Sequence, residues 1–172
     1  MKKICIVFGH HNIKSSFNAE IRDTFINEAE KCGHSIDLIN LFDEKEQLPF
    51  YNSNFNPPPD LVLEYRKRLE ACDTMFIIGS CNNLRLNSIL ENWIDWVLHP
   101  KWFFSYRAIL PESKYFKNYG YTVPGQMKGK LGIVSITYGG PMFTYFNFSI
   151  FDNIPYRRIK KSVFNLGGMK TK

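Results

Sequence analysis

Residues 2–18 read KKICIVFGHHNIKSSFN, and this stretch decides the fold. Residues 4–8 form a short apolar run rich in β-branched side chains, which predicts a buried strand. A polar loop follows from Gly9, and helix-spaced apolar residues then end near a capping glycine, Gly33. The apolar helix positions are Phe17, Ile21, Phe25 and Ala29. A strand, a polar loop and a helix N-terminus in this order predict an anion site, because first-turn N–H groups lack intrahelical partners. A phosphate-bearing cofactor is the expected ligand.

The rest of the chain continues the alternation of strands and helices. Further strands are predicted at residues 35–41, 74–78 and 131–137, and helices from Asp60 as N-cap, at 89–98 and at about 155–164. Alternating elements favour one α/β domain over residues 1–172, with a parallel sheet covered by helices on both faces. Ligands of such sheets bind beyond the carboxyl ends of the strands. The loops expected there are residues 9–18, 79–87 and 137–145.

Composition and charge exclude several classes of protein. The chain is 44% hydrophobic and 22% charged, which is typical of a globular domain. The net charge of +6 includes a basic cluster at residues 157–161, but no nucleic-acid motif accompanies it, so we expect a solvated helix face and no nucleic-acid partner. No apolar run approaches the ~20 residues of a membrane span. No disulfide framework and no metal-ligand set are predicted, and the expected location is cytoplasmic. The cysteines, expected to be free thiols, are Cys5, Cys32, Cys72 and Cys81.

The first loop narrows the choice of phosphate site. It is neither G-x-G-x-x-G nor a P-loop. Ser15, Ser16 and Asn18 are instead placed to donate hydrogen bonds to a phosphate, and His11 to face a pyrophosphate or ribityl chain. Alternatively, Ser15 or Ser16 caps the helix, a role that is compatible with phosphate binding.

Three segments resemble the flavodoxin-like NAD(P)H:quinone oxidoreductases. Residues 8–18 are similar to that family's first loop, in which a histidine precedes a Ser/Thr-Ser-Phe-Asn run. Residues 89–98 (ILENWIDWVL) are similar to its I-L-K-G-W-I-D-R-V helix. Residues 128–130 and 137–141 are similar to its L-K-G-K and T-T-G-G-P segments. The matches occur in order and span most of the chain.

The resemblance implies a fold, a chemistry and an assembly. The fold is a flavodoxin-like three-layer α/β sandwich whose parallel sheet has the order 2-1-3-4, with the fifth strand missing or incomplete. FAD or FMN binds at the strand ends, NAD(P)H supplies a hydride, and a quinone or related small molecule accepts it. An aromatic run over residues 102–106 is placed at a homodimer interface. The alternative for this run is packing within the chain, under a long loop over residues 105–127.

The resemblance also implies the site residues. Tyr145 matches a family tyrosine near flavin and substrate and is the predicted catalytic residue. The predicted cofactor-binding residues are His11, Ser15, Phe17, Asn18, Cys81, Asn82, Asn83, Leu84, Thr137, Tyr138, Gly139 and Gly140.

Residues 80–85 depart from the family pattern. Ser80 and Asn83 stand where the family has a proline and a tryptophan, in the loop that covers the flavin ring. The apolar wall of that loop is therefore lost. This departure supports a second hypothesis: a degenerate flavodoxin-like protein that has a binding or regulatory role and no turnover. Flavin uptake followed by reduction with NAD(P)H distinguishes the enzyme from this alternative.

Overall fold

Strands and helices alternate along the chain, as the sequence predicts. The computed structural model describes residues 1–43, 47–52, 57–115, 119–140 and 154–171. In chain order the elements are β1 (Lys3–Gly9), α1 (Phe17–Lys31), β2 (Ser35–Asn40), α2 (Asp60–Glu70), β3 (Thr74–Asn82), β4 (Arg85–Leu86), α3 (Ser88–Val97), β5 (Phe104–Ala108), β6 (Gly120–Pro124), β7 (Leu131–Tyr138), α4 (Ile154–Arg157), a π-helical segment (Arg158–Phe164) and β8 (Lys170–Thr171).

A parallel sheet with the order β2-β1-β3-β7-β8 lies at the centre of the molecule. The predicted order 2-1-3-4 is confirmed, with β7 as the predicted fourth strand. Strand β8 pairs only with Leu131 and Gly132, at the start of β7. The fifth strand is therefore present but incomplete, as predicted. Strand β4 adds a short antiparallel pair at the end of β3.

Alternate residues of β1 face two separate apolar layers, which makes the domain a three-layer sandwich. Cys5 and Val7 belong to a core cluster formed with α2, α3 and the π-helical segment. Ile4, Ile6 and Phe8 belong to a second cluster formed with α1. Both faces of the central strand are thus buried, as expected for a parallel sheet covered by helices. None of the described helices is both long and apolar enough to cross a membrane.

Two predictions about the N-terminal residues of helices need correction. Helix α1 begins at Phe17, but this side chain is 68% exposed and is not part of the core. It lies in the first turn, beside the polar loop. Helix α2 has Pro59 as its N-cap, and Asp60 is its first helical residue rather than the cap. The last helix lies at the expected place, but most of it is π-helical.

Two strand regions also differ from the prediction. Strand β3 continues to Asn82, because Ser80 and Cys81 pair with Thr137 and Tyr138 of β7. The expected loop over residues 105–127 contains the antiparallel hairpin of β5 and β6. The sequence signal for this hairpin is the run of β-favouring residues Tyr121, Thr122 and Val123 in β6.

Helix α3 is held against the carboxyl ends of β1 and β3. Its N-cap Asn87 accepts a hydrogen bond from the Leu90 N–H at 3.2 Å and donates one to the Gly9 carbonyl. Leu90 then fills the space above two paired glycines. A Cβ added at Gly9 would lie 2.2 Å from Leu90 Cγ, and one at Gly79 would lie 2.3 Å from Leu90 Cδ1. Glycine at both strand ends therefore lets the helix approach the edge of the sheet where ligands are expected.

Candidate functional site

A cavity of about 570 Å³ opens at the carboxyl ends of β1, β3 and β7. This volume is within the range of ligand pockets, roughly 300–1,000 Å³. The predicted site residues that line it are His11, Phe17, Asn18, Cys81, Asn82, Thr137, Tyr138 and Gly139. Ser16, which was predicted to lie at the phosphate, also lines the cavity. Five residues that were not predicted complete the lining: His10, Phe42, Ser80, Asn87 and Ser88.

The remaining predicted residues lie elsewhere. Ser15 does not line the cavity, and its hydroxyl contacts Asn12 Oδ1 at 3.3 Å. Asn83 and Leu84 form the tip of the β3–β4 hairpin, with φ angles of 51° and 62°. Gly140 also lies outside the lining. Tyr145 falls outside the residues that the structure describes.

Ser16, rather than Ser15, caps helix α1. Its Oγ accepts a hydrogen bond from the Ala19 N–H at 3.1 Å and donates one to the Asn12 carbonyl at 2.7 Å. The Asn12 side chain fixes the loop in turn, because its Oδ1 accepts the Ser15 N–H at 3.0 Å. The N–H groups of Phe17 and Asn18 have no intrahelical acceptor in the first turn. Both residues line the cavity, so the positive end of the helix dipole is available to an anionic ligand.

Asn18 connects α1 to the end of β7. Its Nδ2 donates a hydrogen bond of 2.8 Å to Thr137 Oγ1. The side chain is 2% exposed, and its Oδ1 has no hydrogen-bond partner within the described part of the chain. A buried acceptor without a donor costs about 1–3 kcal/mol. A ligand hydroxyl or N–H group in the cavity would relieve this cost.

Aromatic rings flank the cavity near β1 and β2. The imidazoles of His10 and His11 stack with their centroids 4.5 Å apart, and Phe42 presents an edge contact to His11 at 6.4 Å. Phe42 was not predicted from the sequence. It follows the end of β2, so the strand order would have indicated its position beside the first loop.

The wall formed by β3 is polar, as the departure at residues 80–85 predicts. Ser80, Cys81 and Asn82 line the cavity on this side. Burial raises the pKa of the Cys81 thiol, and a hydrogen bond from the Leu84 backbone lowers it by a smaller amount. The thiol is therefore predominantly protonated at neutral pH.

The residues present fit the phosphate and sugar end of a flavin. The first turn of α1 offers N–H donors, and Asn18 Oδ1 offers a buried acceptor beside them. The cavity is large enough for a cofactor of this class. Among the residues with described positions, no group of three or more metal-ligating side chains could hold a metal ion.

Comparisons with known proteins give one family and many related structures. The family Flavodoxin_2, described as having a flavodoxin-like fold, matches residues 2–171. The sequence matches none of the curated proteins.

Three solved structures illustrate the similarity. The NAD(P)H:quinone oxidoreductase from Methanothermobacter marburgensis has a TM-score of 0.77 and 15% identity, with 99% of this chain and 80% of that chain covered. The FMN-dependent NADH-azoreductase from Bacillus anthracis, in complex with FMN, has a TM-score of 0.71 and 18% identity, with 99% and 84% covered. FerB, a flavoenzyme NAD(P)H:(acceptor) oxidoreductase from Paracoccus denitrificans, has a TM-score of 0.65 and 20% identity, with 100% and 75% covered. Similarity at these identities establishes the fold.

Proposed function

Because the chain belongs to the Flavodoxin_2 family of flavodoxin-like proteins, we propose that it is a flavin-dependent NAD(P)H:acceptor oxidoreductase. The electron acceptor is a quinone or a related small molecule. One observation carries the proposal: the cavity at the strand ends combines the capped N-terminus of α1 with the buried pair Asn18–Thr137. The names of the three similar enzymes, which include a quinone oxidoreductase and an azoreductase with FMN, support the same chemistry.

The protein contributes binding and orientation. Bound FAD or FMN supplies the hydride chemistry. The first turn of α1 binds the phosphate, and Asn18 and Thr137 contact the adjacent ribityl region. Gly139 lets the backbone approach the ring, because it has no side chain. The space beside it is open, since no described atom lies within 4 Å of a Cβ added there. Tyr145 as the residue that contacts the substrate is proposed from the sequence alone.

The phosphate end provides most of the affinity in this proposal. Hydrogen bonds to a charged group contribute about 1.5–3 kcal/mol each. Two or three such bonds hold a flavin even though Ser80, Cys81 and Asn82 replace an apolar wall. The protein therefore binds the cofactor through its phosphate rather than through ring packing.

Flavin uptake and reduction test the function. We expect the purified protein to be yellow, or to become yellow when FMN or FAD is added, and NADH or NADPH to bleach the visible absorbance under anaerobic conditions. Protein that binds neither flavin at ~100 μM would reject the oxidoreductase. Protein that binds flavin but is reduced by neither nucleotide would instead support the alternative, a flavodoxin-like binding or regulatory protein without turnover.

A homodimer is part of the proposal. Of the predicted aromatic run, Phe103 is 1% exposed and packs within the chain, whereas Tyr106 is 53% exposed on the β5–β6 hairpin. Ile109, Leu110 and Tyr121 are exposed on or beside the same hairpin. Clusters of exposed apolar side chains mark interaction sites. Light scattering should give a particle of twice 20.2 kDa, and a monomer at micromolar concentration would contradict the dimer.

A cytoplasmic location is also proposed, since all four cysteines are free.

A further inference from the structure

Arg22 lies beneath the loop that forms one wall of the cavity. It is on the inner side of α1, and only 9% of its surface is exposed. Its guanidinium stacks over the Phe8 ring, 4.6 Å from the ring centroid. A buried arginine requires hydrogen-bonding partners, and its partners define its role.

The guanidinium binds one carboxylate and one backbone carbonyl. Nε and Nη2 donate to the two carboxylate oxygens of Asp23, at 2.7 Å and 3.1 Å. Nη2 also donates to the carbonyl of Ile13, at 3.0 Å. Because Asp23 neutralises the charge, Arg22 acts on the loop through the fixed geometry of its donors rather than as a free cation.

This contact orients the backbone immediately before the helix cap. The Ile13 carbonyl is bound to Arg22, and the Asn12 carbonyl accepts the Ser16 hydroxyl. Both carbonyl oxygens are therefore engaged by donors of the protein. These two bonds fix the backbone that leads into the first turn of α1, where Phe17 and Asn18 line the cavity.

We propose that Arg22 is a positioning residue for the phosphate of the cofactor, acting through the Ile13 carbonyl. The inference rests on the proposed function, because it presupposes a flavin phosphate at the N-terminus of α1. Arg22 does not line the cavity and does not itself contact the ligand. Its effect is confined to the phosphate end. Substitution of Arg22 should therefore weaken the binding of FMN much more than that of riboflavin, which lacks the phosphate.

The test compares the dissociation constants of FMN and riboflavin, measured by the quenching of flavin fluorescence. The Arg22→Met variant keeps an apolar stem against Phe8 and removes the donors. We expect it to weaken FMN binding about 10-fold, the equivalent of one hydrogen bond to a charged group, and riboflavin binding by less than about 2-fold. The Arg22→Lys variant keeps the charge but has a single donor nitrogen, and we expect an FMN loss of about 3-fold.

Arg68→Met is the matched control. Arg68 on α2 also binds a carboxylate and a carbonyl, those of Asp37 and Leu38, and it lies outside the cavity lining. Its loss should lower the thermal stability and leave the ratio of FMN to riboflavin affinity unchanged. If Arg22→Met fails to fold, the Arg22→Lys variant alone decides the outcome.

The outcomes separate the two proposals. Wild-type protein that binds no flavin rejects the proposed function itself. Wild-type protein that binds FMN no better than riboflavin overturns the positioning role. The same follows if the Arg22 variants raise the dissociation constants of FMN and riboflavin by the same factor, so that the ratio of the two stays at its wild-type value.

Discussion

Asn18 and Thr137 are 119 residues apart in the chain, yet the Nδ2 of Asn18 donates a 2.8 Å hydrogen bond to the Oγ1 of Thr137. This bond links the first turn of α1 to the carboxyl end of β7, where Thr137 is the last residue but one of the strand. It leaves Asn18 Oδ1 buried without a partner among the described residues. The bond to Thr137 thus holds the Asn18 side chain in place, while its Oδ1 is left to accept a hydrogen bond. A ligand with a hydroxyl or N–H donor would satisfy this oxygen.

Substitution of Asn18 should weaken flavin binding strongly. Asn18→Ala removes the orphan acceptor and the bond to Thr137, and we expect the dissociation constant of FMN to rise at least about 10-fold. The control is Asn83→Gly, because Asn83 lies at the hairpin tip outside the cavity and glycine accepts its φ of 51°. The control should change binding by less than about 2-fold in the same fluorescence titration. Equal losses in the two variants would contradict the assignment of affinity to the phosphate and ribityl end of the flavin.

The contact between Gly9 and Leu90 should be visible as an energetic coupling. Gly9→Ala places a methyl group against Leu90 Cγ, and we expect a loss of about 1–3 kcal/mol in the free energy of unfolding. Leu90→Ala alone should cost about 2–5 kcal/mol. In the double variant the added methyl group partly fills the space, so the two losses should sum to more than the measured total.

Urea unfolding of the four proteins in this cycle measures the coupling. Gly139→Ala is the matched control, since its added Cβ meets no described atom within 4 Å. Its free energy of unfolding should stay within about 0.5 kcal/mol of wild type. Strict additivity of Gly9→Ala and Leu90→Ala would show that the helix is not held by this contact.

The hairpin tip should store backbone strain at Leu84. Its φ of 62° is in the left-handed region, which costs a residue with a Cβ about 1–2 kcal/mol. Leu84→Gly should therefore stabilise the protein by up to about 1 kcal/mol, equivalent to roughly 2–4 °C in Tm for a chain of this length. Asn83→Gly serves as the control, with a smaller effect because asparagine tolerates this conformation. A lower Tm for Leu84→Gly would show that the packing of the half-buried leucine outweighs the strain.

Local patterns predicted β1, β2, β7, the first part of β3 and α1, because buried apolar runs and helical spacing depend on adjacent residues. The choice between Ser15 and Ser16 as the cap could not be made in this way, since both are good caps and the Asn12 side chain decides between them. The extension of β3 was missed because its last residues are polar and are stabilised by pairing with β7. Phe42 lines the cavity, and Arg22 binds the loop beside it, through tertiary contacts that no local pattern contains.

Thiol labelling should report on the cavity directly. Cys32 is exposed, Cys81 lies in the cavity wall, and Cys5 and Cys72 are buried. Burial raises the pKa of Cys81, so its thiolate fraction at neutral pH is lower than that of an ordinary cysteine. Its alkylation rate should therefore keep rising as the pH passes the usual value of about 8.5, where the rate of an unperturbed thiol begins to level off. Alkylation with iodoacetamide, followed by mass spectrometry of the peptides, measures each site.

Saturating FMN should protect Cys81 from alkylation and leave the rate at Cys32 unchanged, because only Cys81 lines the cavity. Cys5 and Cys72 should react only when the protein unfolds, since both lie in the core and burial raises both of their pKa values. The Cys32→Ser variant removes the exposed thiol and isolates the kinetics of Cys81. FMN binding without protection of Cys81 would place the flavin away from the β3 wall, whereas protection combined with slow alkylation at neutral pH places it against this wall.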